Sequence, residues 1–499
     1  MEVEPRLDTA KQQEDEGVLE KEAESEVRWV EWEKNDPENP FNWSKRRKWA
    51  ISSVGFLFTC LVSLSTSAYS ITAQSIQDEL HTSNTLTYIA LSTFNIAFGA
   101  APLILAPLSE LYGRSSILLI STIGFAIFLI PQALATNIQT LIITRFFYGC
   151  FGSTGVALGG GILAEVWSDE ERGLSMALFS LSATAPTGLG PVAFGYLSQI
   201  KGFRTVNWVL FALASLLSIS TFFLLDETRA SVLLTRRAKQ MRNRTGDKRF
   251  VSKAEAERTS LIEVWKTNLR RPVSLLCREP VLIAFTAWIG FTWGVMYLEL
   301  VSIPLVYREI YSFSIGESGL VYITQILVFG ALFFPVGCWI YGMTASPAVH
   351  FVVPAIGLAF LYTGLYLVFV ATYSYLADAY ALYASSALAA MGFCRNITGA
   401  IFPLVTPAMY QNLGIRGAGA LTAGIATVLS LTPFLLFRYG AQLRARSSFA
   451  QALVADKRAN QVMQATTTST SGTIVGDVEE RGCETEKIEL TRKSRRDER

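Results

Sequence analysis

The chain reads as an all-α polytopic membrane protein, and three observations lead there. Hydrophobic residues fill 51% of its 499 positions and charged ones only 17%, against about 25% charged in ordinary soluble domains. Mean hydropathy is +0.33. Eleven apolar segments recur, at 49–73, 86–108, 115–136, 138–166, 173–199, 207–225, 281–306, 319–343, 351–376, 383–410 and 417–437. Most come close to the roughly 20 residues an α-helix needs to cross the hydrocarbon core. An open strand edge is not tolerated in lipid, and the weak alternation of a membrane barrel is absent, so these segments are helices.

The same composition narrows the function classes. A formal net charge of +2 gives no reason to expect a nucleic-acid partner. Six cysteines are scattered, four of them inside apolar segments, without the spacing of a disulfide framework or a zinc site. His81 and His350 both fall in expected loops, so no histidine metal site or catalytic constellation is expected. The Gly159-Gly160-Gly161 run is not followed by Gly-Lys-Ser/Thr and is no phosphate loop. No cofactor is expected, nor an enzyme, and an ion gradient becomes the expected energy source.

Taken in order, residues 1–44 are expected as a disordered cytoplasmic tail; the first 28 are acidic and lack the apolar core of a signal peptide. Lys45-Arg46-Arg47-Lys48 stands directly before the first span, which places that end inside by the positive-inside rule. A six-helix bundle over 45–225 follows. Its first outer loop, Gln74 to Thr85, holds Asp78 and Glu79 and no Lys or Arg. Six crossings return the chain to a cytoplasmic loop at 226–279, with fourteen Lys/Arg against seven Asp/Glu. Ser109 to Arg114 and Ser168 to Arg172 then also face the cytoplasm. A second bundle over 280–439 holds five apolar segments, before a tail at 440–499 expected to be cytoplasmic and disordered. Five crossings would leave that tail outside, yet Arg438, Arg444 and Arg446 favour the inside. Either one span is missing or one segment does not cross, and 319–343 is the suspect.

Several residues carry more chemistry than a scaffold needs. Pro107 to Arg114, PLSELYGR, crowds Glu110, Gly113 and Arg114 into the short link between spans two and three. Glu165, near the cytoplasmic end of span four, can reach Arg114, and Arg172 can reach Glu110. Such pairs would hold the cytoplasmic ends of spans two to four together in one state and release them in another. Arg145 stands in apolar sequence, LIITRFFYG. A deep arginine costs about 2.5–3.5 kcal/mol by insertion scales, so it faces the bundle interior or snorkels outward. Glu299 is the acid well inside span seven, a proton carrier or a hydrogen-bonding group. Trp288, Trp293 and Tyr297 share that helix, as pocket wall or interfacial belt. Glycines at 149, 152, 155 and 159–161 read as close helix packing, and Pro191 after Gly190 is expected to bend span five.

Together these motifs resemble the major facilitator superfamily, and more narrowly the fungal twelve-span drug:proton antiporters of the polyamine and multidrug exporter branch. The resemblance runs from Asp36 to Tyr439. Asp36 to Trp49, DPENPFNWSKRRKW, is similar to that branch's opening signature. PLSELYGR matches the helix 2–3 motif, with Glu110 for the usual aspartate, Ala106 where glycine often sits and Ser115 for a second basic residue. Arg145 through Gly149 and Gly152 resembles the span-four motif linked to proton coupling. Gly190-Pro191 with Gly195, and Gly188 beside them, resembles the antiporter motif of span five, with Phe194 replacing a glycine. Asp226 to Asp247, and DAYALYASSALAA leading to Arg395, resemble the branch further.

The resemblance implies two helical bundles and twelve spans, with span eight truncated. Gly319 to Gln325 looks like its start, and Ala331 to Phe351 like span nine and its outer loop. It also implies an acid at the position of Val301; here the acid is Glu299, about 200° round the helix. The implied activity is secondary transport at the plasma membrane: export of small organic molecules (drugs, toxins, secondary metabolites or polyamines) by alternating access, driven by protons. Substrate, protons and lipid are the expected partners, and the chain is expected to be monomeric. Gating falls to Glu110, Gly113, Arg114, Glu165 and Arg172, coupling to Arg145 and Glu299, and the cavity to Tyr69, Asn95, Trp293, Tyr297 and Arg395. Facilitated nutrient uptake, and a non-transporting relative acting as a receptor, are the other readings.

Overall fold

Apolar runs separated by caps and glycines fold into long helices. The computed structural model describes residues 27–33, 35–168, 170–256, 261–325, 334–380 and 384–446. In the first half stand α1 (Lys45–Leu80), α2 (Asn84–Ala100), α3 (Pro102–Tyr112), α4 (Arg114–Ile127), the short α5 (Leu129–Ala133), α6 (Ile138–Val166) and α7 (Arg172–Leu224). Ser83 caps α2 by accepting from Leu86 N at 3.4 Å, and Asn137 caps α6 by accepting from Thr140 N at 2.8 Å. α2 and α3 are one span bent by 41° at Pro102, whose missing N–H interrupts the ladder.

α7 is 53 residues long, far more than one crossing needs, and its break in helical angles falls at Gly202 (φ 74°, ψ 175°). That backbone region belongs essentially to glycine. The rod before Gly202 runs alongside α1, Ser63 Oγ donating to the Ala183 carbonyl at 2.9 Å. The rod after it folds back, so that Asp226 meets Arg47 at the start of α1 (2.6 Å). In the second half α15 (Ala384–Leu429) breaks the same way at Gly414 (φ 69°, ψ 171°). Gly202-Phe203-Arg204 and Gly414-Ile415-Arg416 thus make matching reversals in the two halves.

Between the halves lie α8 (Ala230–Thr245), the short α9 (Lys253–Ala256) and α10 (Leu261–Arg278). The second half continues with α11 (Pro280–Tyr311), α12 (Ile315–Leu320) and its 3-10 extension Val321–Gln325, α13 (Phe334–Thr344), α14 (Val352–Tyr380), α15 and α16 (Thr432–Arg446). Among the described residues, seven helices are long and apolar enough to cross a membrane, or eight with the bent α2–α3 pair, and α7 and α15 each hold two rods.

The topology conflict turns on α12 and α13. α13 is described over Phe334–Thr344, and residues 326–333 before it lie outside the described residues. Its far end returns to the outer end of α11: Tyr311 Oη donates to the Ser346 carbonyl (3.2 Å) and Tyr307 Oη to that of Phe351 (3.1 Å). α12 starts from that same end of α11. The start of α12 and the end of α13 therefore both lie at that end of α11. α14 then crosses, and its last residue, Tyr380, donates to Glu279 at the cytoplasmic start of α11 (3.1 Å). Two further rods in α15 then reverse the chain once more at Gly414. The expected join between Gln325 and Ala331 lies outside the described residues.

Each half has a core. Phe58, Phe125 and Tyr148 build the first, Phe125 stacking on Tyr148 with ring centroids 4.1 Å apart. The second follows α11 and extends into Tyr69, Ala90, Leu91 and Leu141 of the first half, which joins the halves on the outer side.

Part of the expected disordered tail is ordered. Arg28–Trp29 (β1) pairs in parallel with Phe250–Val251 (β2). Asp36 accepts from Arg237, Asn42 Nδ2 donates to the Asp36 carbonyl at 2.8 Å, and Arg47 stacks 3.9 Å over Trp43. These contacts with the central segment are long-range and leave no local pattern. The Arg237 guanidinium holds the Asp36 carboxyl below the usual carboxylate range. The tails at 1–26 and 447–499 lie outside the described residues.

Candidate functional site

Two buried charge systems stand out, one at the cytoplasmic face and one near mid-height. At the face, the link between α3 and α4 is a single residue, Gly113, at φ 103°. A Cβ there would fall on the Glu227 carboxylate, so the position demands glycine twice over. Glu227 accepts from Arg114 N (2.9 Å), Ser115 Oγ (2.8 Å), Thr228 N (3.1 Å) and Arg229 N (3.0 Å). Arg114, 7% exposed, turns inward to Glu165 (3.2 Å) and Ser109 Oγ (2.8 Å). Glu165 also binds Arg229 (2.9 Å) and accepts from Thr228 Oγ1 (2.8 Å).

The expected Arg114–Glu165 pair is therefore present. Glu110 ion-pairs with Arg114 at 3.9 Å, and Arg172 is half-buried in the first turn of α7. Every member of this network comes from the first half or from the segment directly after it. It clamps α3, α4, α6 and the end of α7 together. Glu227, Thr228 and Arg229 were missed as site residues; the signal was DETR, four polar residues ending span six on the face that holds PLSELYGR.

Near mid-height, Arg145 is 2% exposed and does not snorkel. Its guanidinium lies 3.8 Å over Tyr69, 5.2 Å from Phe94 and 5.9 Å from Tyr148. Desolvated cation–π contacts of about 2 kcal/mol each are enough to offset an insertion cost of about 2.5–3.5 kcal/mol. The rings offer no acceptor, however. Nη1 donates weakly to Gln132 (3.5 Å), while Nε and Nη2 have no partner among the described residues.

Arg395 in α15 repeats the arrangement from the other half. It is 3% exposed, 4.1 Å over Trp293 and 5.4 Å from Phe369, with Nη1 donating to Tyr373 Oη (3.1 Å) and Nε unpartnered. Asn95 joins the two, Nδ2 donating to the Gly399 carbonyl (3.2 Å), and Gly399 packs against Tyr297 and Trp293. All five expected cavity residues, Tyr69, Asn95, Trp293, Tyr297 and Arg395, thus fall in one cluster that both halves build.

Residues 55–394 match the profile of the Major Facilitator Superfamily. The chain belongs to that superfamily. It is 33% identical over 474 residues to the efflux pump radE of Floropilus chiversii, covering 86% of this chain and 87% of the pump. It is 31% identical to the multidrug transporter mdrA of Aspergillus fumigatus (84% and 76% covered). Identity to the multidrug transporter FLU1 of Candida albicans is 30% (83% and 75%). The fold is similar to the xylose transporter XylE from E. coli in an inward open conformation, with TM-score 0.58, 14% identity, and 77% and 96% of the two chains covered.

The remaining expected residues take their places in this transporter's frame. Glu299 is 2% exposed, accepts from Ser302 Oγ at 2.6 Å, and shares that hydroxyl with Tyr341 of α13 (3.3 Å). It faces α13, and no contact with Arg145 is made among the described residues. Gly188 is buried in α7, and Gly190 lies against the Leu64 carbonyl and Ser67 of α1. Gly195 touches Gly316 of α12, and the Pro191 carbonyl lies against Gly319, so span five packs on α12 across the interface. The helix assignment runs unbroken through Pro186 and Pro191.

Proposed function

We propose that this transporter exports small organic molecules from the cytoplasm across the plasma membrane, as a monomer, in exchange for protons. The observation that carries the reading is the mid-height cluster: α1, α2 and α6 of one half and α11 and α15 of the other meet around Arg145 and Arg395. A site divided between two halves opens to alternate sides when they rock. The halves meet here on the outer side. Ser70 donates to the Leu300 carbonyl, Ser92 Oγ to that of Ala400 (2.6 Å), and Gly316 N to Gln199 Oε1 (2.9 Å). A closed outer side is the posture that receives substrate from the cytoplasm. Relatives named as efflux pump and multidrug transporter support the outward direction.

Proton coupling is assigned to Arg145 and Glu299. The Glu110, Gly113, Arg114, Glu165 and Arg172 region serves as a gate by keeping the first half rigid at its cytoplasmic end. Proteoliposomes loaded with anionic, neutral and cationic dyes test the coupling. Dye flux should follow an imposed pH gradient and collapse with nigericin. Glu299→Gln should keep substrate exchange and lose the pH dependence. Wild-type flux that ignores the gradient sinks the coupling.

A further inference from the structure

The next step rests on the transporter reading of the mid-height cluster and concerns the charge of what it holds. Arg145 and Arg395 bring two permanent positive charges to one buried region. Among the described residues neither guanidinium has a carboxylate within ion-pairing distance; their hydrogen bonds go to Gln132 and Tyr373. Glu299 does not neutralise them, because it is turned toward Ser302 and Tyr341. The Tyr297 phenol between them lies within electrostatic reach of both. Among the described residues, Arg145 Nε and Nη2, Arg395 Nε and Trp293 Nε1 are buried donors without acceptors. Buried donors in native proteins are nearly always met by protein, water or a bound group, and several unmet together on charged side chains can accept an anionic ligand.

We propose that the cluster binds organic anions, namely flat aromatic acids in their carboxylate form. The carboxylate accepts from the free N–H groups of Arg145 and Arg395, and the ring system lies against Tyr69, Tyr297 and Trp293. A carboxylate presents the planar pair of acceptors that a guanidinium fork matches. An organic cation entering the same region meets two fixed positive charges in a low dielectric with nothing to offset them. A neutral amide gains only ordinary hydrogen bonds.

Equilibrium binding to the full chain in nanodiscs tests this. Two fluorescent series serve as probes: 1-naphthoate and anthracene-9-carboxylate, each with its carboxamide and its aminomethyl cation. The carboxylates should bind about tenfold or more tighter than the amides, the difference between charge-assisted and neutral hydrogen bonds, and the cations should not compete. Arg395→Gln should weaken carboxylate binding about tenfold and change amide binding by less than about twofold, and Arg395→Lys should restore part of the loss. Arg145→Gln, at an independent position, should show the same charge selectivity. Cations or amides binding as tightly as the acids, no binding of either acid, or a Gln variant that weakens all three ligands alike would each overturn the proposal. Flux of the same probes in proteoliposomes separates the two readings. Acid-selective binding without flux keeps the anion site and removes transport; preferential flux of the cations keeps transport and removes the anion site.

Discussion

Arg114 and Gly113 show how much one turn can hold. The backbone N–H of Arg114 and its guanidinium point in different directions, one to Glu227 and the other to Glu165, and the positive φ of Gly113 allows both. Gly113→Ala forces a Cβ into a carboxylate and a side chain into a backbone region it avoids, a penalty of about 1–3 kcal/mol. Its thermal unfolding midpoint in detergent should fall below that of the wild type; an unchanged midpoint would mean that the clamp does not bear on stability. Glu165→Gln leaves Arg114 and Arg229 facing a neutral amide, and amide exchange at 109–116 should speed up as the clamp loosens. Unaltered exchange there would count against Glu165 as its centre.

At the scale of elements, the topology of the second half turns on α12 and α13, since α12 starts and α13 ends at the same end of α11. If 319–343 enters and leaves on the outer face, α14 begins outside and Arg446, at the end of α16, is expected on the cytoplasmic side. A cysteine-depleted chain carrying single cysteines at Met343 or Ala348 should react with a membrane-impermeant maleimide added outside intact cells. A tag placed after Arg446 should be reached only after permeabilisation. A tag accessible from outside would restore a full crossing to this segment. α12 also carries part of the contact between halves, since Gly316 and Gly319 lie against span five. It is a structural partner of the antiporter-like stretch rather than a connector.

At the scale of the whole molecule, the amino-terminal segment is docked on the central segment through Asp36, Arg237 and a short parallel strand pair. The sign of its pH response follows from the depressed Asp36 carboxyl. A depressed carboxylate stabilises the folded state above its unfolded pKa of about 3.9, and that contribution is lost as pH falls through the lower folded value. The dock should therefore resist limited proteolysis equally at pH 7 and pH 5 and yield below about pH 4, as Asp36→Asn should at every pH. A docked Asp36→Asn chain would show that β-pairing alone suffices. The contacts between halves combine an apolar seam, in which Tyr69, Ala90, Leu91 and Leu141 join the second core, with hydrogen bonds such as that of Ser70 to the Leu300 carbonyl.

Composition and segment length alone determined the helical membrane class, because hydrocarbon leaves backbone groups no partner except their own helix. Basic residues at segment ends, with Lys45 to Lys48 foremost, carry the expected orientation, since that signal is additive and local. The pairing of Arg114 with Glu165 was legible too, because one loop and one helix end had to share a face. Tertiary structure decided what depends on direction about a helix or on distant segments. Glu299 turned toward α13, Glu227 reached back under Gly113, and residues 28–36 gained partners some 200 positions away, a separation of 201 for Asp36 and Arg237. Arg145 and Arg395 could each be read as a costly charge, but only packing brought both beside Tyr297 and left their N–H groups unmet. Burial is a property of neighbours, and the neighbours of a membrane helix are chosen by the fold.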